Sequence, residues 1–282
     1  MSGDAGRKAE ELPRIRSGDR EIAYREWPGP GDRPPLVLVH GFLVDHREWE
    51  DVAVRLASRR RVVALDLPGF GRSPTPPKGV EPSFELFVEA VIGLIDELAL
   101  GTVDLAGHSM GGGIAVALAA RHPGRVRKLV PVDALSFPFP LPFKGRLPLI
   151  PGFGPLLFKR LYGRGMFVNY FRKDVVHDPR TLNVERIEHY YRAFDTRERR
   201  DWAYRTLRLT AHPSPVAKAA PAVHAPTLIV WGEHDRLIPL RVAHQLRDAI
   251  PGARLELVAG SGHAAPEEQP EATAQLMAGF LD

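Results

Sequence analysis

The order of apolar runs along the chain predicts an α/β fold: a mostly parallel β-sheet covered by helices and interrupted once by a helical insertion. Three observations carry this expectation. Short β-rich runs alternate with helical periodicity up to residue 133, and the alternation then stops from Ala134 to about Ala220. It resumes from there to the end of the chain. A G-H-S-M-G-G turn at residues 107–112 joins one apolar run to a small-residue helical stretch ending before Pro123.

Taken in order, Arg20 to Trp27 alternates loosely and reads as an early strand, and Pro35 to His40 (P-L-V-L-V-H) reads as a buried one. Trp49 to Leu56 has helical spacing. Arg61 to Leu67 is the next strand, closed by Pro68, Gly69 and Gly71. Ser83 can cap a helix whose apolar positions Phe87, Val91, Leu94, Ile95 and Leu98 keep a 3.6-residue period, ended by Leu100 and Gly101. Val103 to Gly107, the helix after Ser109 and the strand Val126 to Val132 complete a β-α-β-α-β series. The interruption begins with F-P-F-P-L-P-F and continues through ten aromatic residues from Phe158 to Tyr204. These rings can line a substrate cavity or form the insertion's own core, and the sequence favours neither. The closing elements are a strand at Thr227 to Trp231, a helix at Val242 to Ile250, a strand at Arg254 to Val258 and a helix at Glu267 to Phe280.

The expected organisation is therefore a flexible tail at residues 1–12, a first part of the sheet domain at 13–133, a helical lid at 134–220 and a second part at 221–282. A chain of 282 residues that is 44% hydrophobic and 26% charged can bury one large core. The absence of cysteine removes disulfides, thiolate catalysis and Cys-based metal sites. No stretch approaches the ~20 apolar residues of a membrane span, and the first dozen residues lack the apolar core of a signal peptide, so a cytoplasmic location is the default. The net charge of +4 is concentrated in residues 159–208, which hold 13 bases against 7 acids. Interleaved acids favour solvated helix faces there over a membrane- or phosphate-meeting surface. Nothing resembles a nucleic-acid-binding motif.

The G-H-S-M-G-G turn carries the chemistry. Glycines two residues before and after Ser109 relieve crowding at a strand-to-helix turn that would hold its hydroxyl clear of the chain, so Ser109 is the expected nucleophile. In a parallel sheet, catalytic groups gather beyond the carboxyl ends of the strands. His263, in G-S-G-H-A-A-P just after the last strand, is the expected base. Asp235, in W-G-E-H-D after the preceding strand, is the expected acid, giving the chain order nucleophile, acid, base. Asp133, at the end of the strand that follows the Ser109 helix, is the alternative acid. Glu233 ranks below both, and Asp66 reads as a turn residue. Oxyanion donors are expected from the backbone N–H groups of Met110 and Phe42, with Gly41 at the bend and His40 bracing the loop. His108 reads as supporting, its side chain turned away from Ser109.

Together, H-G-F at 40–42, D-L-P-G-F-G-R-S at 66–73, G-H-S-M-G-G, G-E-H-D at 232–235 and G-S-G-H at 260–263 resemble the α/β-hydrolase superfamily, in its capped branch. The resemblance covers residues 20–282, least in the lid. It implies an eight-stranded sheet and acyl-enzyme chemistry without metal or organic cofactor; the expected substrate is a carboxylic ester, its apolar acyl or alcohol part suggested by the aromatic-rich insertion. Ser109 sets the chain apart from the haloalkane dehalogenases and epoxide hydrolases, which carry aspartate there, and Phe42 from the H-G-G-G esterases. Similar sequences also cleave carbon–carbon bonds in vinylogous keto acids, for which Arg160, Arg164 or Arg172 could hold the substrate carboxylate. A small-molecule receptor on the same fold is a third reading. An acyltransferase H-x-x-x-x-D pattern within H-G-F-L-V-D would leave Ser109, Asp235 and His263 unexplained. Oligomeric state is not legible.

Overall fold

The computed structural model describes residues 11–141 and 143–282, so the expected tail lies outside it except for Glu11 and Leu12. Eight strands form one sheet: β1 (Arg14–Ser17), β2 (Arg20–Trp27), β3 (Leu36–Val39), β4 (Val62–Leu65), β5 (Val103–His108), β6 (Val126–Val132), β7 (Leu228–Gly232) and β8 (Arg254–Val258). Their spatial order is β1-β2-β4-β3-β5-β6-β7-β8, and β2 alone runs against the rest. The inner strands β3 (L-V-L-V) and β4 (V-V-A-L) are buried along their whole length because helices cover both faces of the sheet. Arg254 and Glu256 are exposed on β8, where charge discourages further strand pairing at an edge.

One face is covered by α1 (Glu50–Ala57) and α12 (Pro270–Leu281), which pack with Leu36, Leu38, Ala64 and Val230. The other is covered by α2 (Phe84–Glu97), α3 (Met110–Arg121) and α10 (Leu240–Ala249), which pack with Val37, Val39, Leu105 and Leu129. Ser83 caps α2, its Oγ accepting the Leu86 N–H at 3.0 Å. Because β3 lies between β4 and β5, the chain crosses the sheet after β4. The loops following β3 and β5 therefore open beside each other at the carboxyl edge, the usual ligand crevice of such sheets.

Two elements differ from the sequence reading. Strand β1 was not legible, since R-I-R-S offers one apolar residue, Ile15, as its buried contact. The expected helix from Glu267 to Phe280 is divided into α11 (Ala265–Glu268) and α12. Pro270 lacks an N–H and drives Gln269 out of helical conformation, to φ −131° and ψ 58°.

Between β6 and β7 the described chain is helical: α4 (Phe143–Arg146), α5 (Phe153–Leu156), α6 (Arg164–Tyr170), α7 (Val184–Phe194), α8 (Arg197–Thr210) and α9 (Ser214–Ala219). Wide π-helical turns at Leu157–Leu161 and Phe171–Val175 follow α5 and α6. Side-chain caps from Asn183 and Thr196 start α7 and α8. Most of the aromatic residues build a core of their own: Phe158, Phe167, Phe171, Tyr190, Phe194 and Tyr204 are buried together. That core reaches the sheet domain, stacking Phe158 on Phe42 at 6.5 Å and including Leu43, Val44 and Ala264. Arg200 is buried among the rings, its guanidinium donating to Asp195 and to the carbonyls of Phe158 and Tyr162. Trp202 instead enters the main core against Phe87.

Candidate active site

Ser109 stands between β5 and α3 with φ 51° and ψ −115°, a left-handed conformation costly for any residue but glycine and retained where the surroundings overdetermine it. The turn leaves no room for neighbouring side chains. A Cβ on Gly107 would run into the Gly111 carbonyl, and one on Gly111 into the carbonyls of Val39 and His40. The Ser109 carbonyl is held by the N–H groups of Gly113 and Leu135.

The structure brings the three expected side chains into one hydrogen-bonded row. His263 Nε2 lies 2.9 Å from Ser109 Oγ, and His263 Nδ1 lies 2.8 Å from Asp235 Oδ2. The second oxygen of Asp235 accepts the N–H groups of Leu237 and Ile238, at 2.8 and 3.0 Å, which fixes the carboxylate's direction. With the Asp235 carboxylate as acceptor, His263 Nδ1 carries a proton and Nε2 is free to accept one from the serine.

Asp133, the alternative acid, is close but not bonded to His263. Its Oδ1 accepts the Gly232 N–H at 2.7 Å, while its buried Oδ2 takes no hydrogen bond among the described residues. One oxygen each of Asp133 and Asp235 and a ring nitrogen of His263 lie within 4.8 Å of one another. Burial, and then the adjacent Asp235 charge, push the Asp133 carboxyl well above the usual carboxylate range. Its backbone is also left-handed, at φ 45°.

The N–H groups of Phe42 and Met110, the expected oxyanion donors, donate to no acceptor among the described residues, Met110 because it opens α3. His40 lies beside this loop: its Nε2 accepts the Leu67 N–H at 2.9 Å, and its Nδ1 donates to the Gly41 carbonyl at 2.7 Å. A buried carboxylate that sequence reasoning missed, Glu48, completes the arrangement. One oxygen accepts the Gly41 N–H at 2.9 Å, and the other lies 2.6 Å from His108 Nδ1. His108 Nε2 lies 2.6 Å from the His263 carbonyl. Both nitrogens of His108 thus face acceptors and both donate, which requires the imidazolium. Burial opposes that charge, but the Glu48 carboxylate hydrogen-bonded to the ring outweighs it and raises His108 to about 9. A continuous chain therefore links the Gly41 loop to the His263 loop.

Further carboxylates fix the remaining loops. Asp66 accepts the Arg72 N–H and both the N–H and ring of His46, so its expected role in the turn is met. Asp45, His46 and Asp66 each bring an atom within 4.8 Å of the others, as a metal site would. Their oxygens are already taken by His46, Arg47, Arg72 and His189. Glu268 accepts N–H groups from Gly262 on one side and from His177 and Asp178 on the other. The Val175 carbonyl accepts the His263 N–H at 2.8 Å. Of the bases considered for a substrate carboxylate, Arg160, Arg164 and Arg172 are all exposed, and Arg164 pairs with Glu188.

Comparison with known proteins places the fold among hydrolases. The chain is 32% identical over 257 residues to a 2-hydroxymuconate semialdehyde hydrolase of Pseudomonas sp. strain CF600, an alignment spanning 88% of this chain and 86% of that one. Among solved structures it superposes on a membrane phospholipase A with TM-score 0.79 and 29% identity, covering 96% of this chain and 86% of that one. It also superposes on a thermophilic esterase from Thermogutta terrifontis with TM-score 0.78 and 26% identity, covering 96% and 98%. No helix among the described residues is long and apolar enough to cross a membrane. A sequence model of the alpha/beta hydrolase fold matches residues 34–270, and the chain belongs to that family.

Proposed function

We propose that this chain is a serine hydrolase of carboxylic esters with an apolar acyl or alcohol part, and that the β6–β7 segment is its lid. The observation that carries the reading is the unbroken row Ser109 Oγ, His263, Asp235, with the serine held on a strained strand-to-helix turn. In the proposed cycle, Ser109 Oγ attacks the ester carbonyl carbon while His263 Nε2 takes its proton. The carbonyl oxygen becomes an oxyanion facing the N–H groups of Phe42 and Met110. The carbon–oxygen bond breaks, and the departing alcohol receives the proton from His263. Water then enters, gives a proton to His263 and its oxygen to the acyl carbon. Collapse releases the acid and returns the proton to Ser109. These steps call for no metal or organic cofactor. The apolar preference rests on Phe42, whose N–H would face the oxyanion and whose ring packs with Phe70 and Phe158.

A second reading is hydrolysis of a carbon–carbon bond in a vinylogous keto acid, favoured by the 32% identity to a 2-hydroxymuconate semialdehyde hydrolase. It needs a cation for the substrate carboxylate, and the exposure of Arg160, Arg164 and Arg172 weighs for the ester. One preparation tests both: p-nitrophenyl esters from acetate to laurate, and a vinylogous keto acid, each run beside Ser109→Ala. Ester turnover lost in the variant supports the first reading, and turnover of the keto acid alone supports the second. Turnover of neither, with ligand-dependent stabilisation, would turn the reading to a receptor.

A further inference from the structure

Among the described residues, eight large apolar side chains are markedly exposed, and five of them lie between residues 150 and 166. These are Ile150, Phe153, Leu156, Leu161 and Met166, at 44 to 56% exposure. The helical run from Phe153 to Leu161 explains the pattern. Gly154 and Phe158 face inward, the glycine because a Cβ would meet the Pro148 carbonyl, which leaves Phe153, Leu156, Arg160 and Leu161 facing solvent. Charge on this stretch has one sign: residues 134–173 contain seven Lys or Arg and no Asp or Glu. Arg146, Arg160 and Arg172 are exposed and have no carboxylate partner among the described residues. Arg160 also borders a groove of about 1080 Å³ that carries Lys78, Lys159, Arg197 and Arg205. Of the acids there, Asp201 pairs with Lys159 and Arg205, and Glu81 with Arg205. Glu198 is left beside Lys78, Arg160 and Arg197.

Exposed apolar side chains among unpaired bases are what the surface of an anionic bilayer binds: the rings and aliphatic chains enter the headgroup layer while the bases meet phosphates. A second copy of the chain is the poorer occupant, because a two-fold contact would set this acid-free, basic stretch against its own image. We propose that this face of the β6–β7 segment docks on a bilayer surface containing anionic phospholipid, with Phe153, Leu156 and Leu161 inserted and Arg146, Arg160 and Arg172 on the phosphates.

The test is co-sedimentation of the full chain with vesicles of phosphatidylcholine alone and with about 30% phosphatidylglycerol, at about 0.05 and about 0.5 M salt. The expected result is at least about tenfold more binding to the anionic vesicles, falling at high salt. Arg160→Gln with Arg172→Gln should lower partitioning roughly fivefold per base. Phe153→Ser with Leu156→Ser and Leu161→Ser should abolish it while leaving the thermal melt intact, since all three positions face solvent. Equal binding to neutral vesicles, or none above a vesicle-free control, overturns the proposal. So does a dimer in sedimentation velocity that the triple serine variant dissolves, which would assign the face to a second copy.

Discussion

Around Ser109 the geometry is carried by backbone, whereas in the β6–β7 segment it is carried by side chains. Near the serine, Gly107 and Gly111 hold carbonyls where a side chain would stand, and hydrogen bonds from Gly113, Leu135, Leu237 and Ile238 fix the groups around it. In the segment, short helices with two wide turns are gathered by ring packing and by the buried Arg200. Backbone contacts have discrete solutions, so the first region tolerates almost no substitution. Packed rings can rearrange, so the second can change with modest loss.

The sharpest break should come at the serine: Ser109→Ala is expected to lower ester turnover on the order of a million-fold with an unchanged melt, read by steady-state kinetics and calorimetry. The two neighbouring carboxylates come next. Asp235→Asn should cost about ten-thousand-fold in kcat, because the amide would no longer hold the His263 tautomer. Asp133→Asn should stay within about tenfold, since that carboxyl makes no bond to His263 and the amide oxygen can still accept the Gly232 N–H. Equal losses from the two would show that the acid is shared. On the stability side, Gly111→Ala should cost more than about 4 kcal/mol in urea unfolding, because the Cβ meets two main-chain carbonyls that cannot withdraw.

A smaller effect depends on pH. His108 is raised from 6.5 to about 9, so the stability it contributes is complete below 6.5 and is lost as pH rises through about 9. The difference in unfolding free energy between wild type and His108→Asn should therefore shrink by about 3 kcal/mol over that window. A constant difference would mean that His108 is not the imidazolium. The mildest change is in the segment's ring core, where Phe167→Leu should cost less than about 1.5 kcal/mol despite complete burial. A loss matching that of Gly111→Ala would erase the distinction between the two regions.

The strand and helix series was legible because buried strands and amphipathic helices write their period into the chain, and so was the order Ser109, Asp235, His263. Strand β1 was not, since four residues with one buried side chain carry no period. The choice of Asp235 over Asp133 rested on chain order, and its physical reason is tertiary: Leu237 and Ile238 aim one carboxylate at His263, while Gly232 draws the other away. Glu48 left no signal at all. A glutamate beside Trp49 at a helix start looks like a solvated first-turn acid, and only folding brings Gly41 and His108 to its two oxygens. The aromatic residues were visible as a group, but whether they line a cavity or fill a core depends on packing that no spacing records.

The bonds from Glu268 to Gly262, His177 and Asp178, with that from His263 to Val175, fasten the middle of the β6–β7 segment to the loop that carries His263. The segment therefore cannot lift away as a single door, because raising it would draw the imidazole off Ser109.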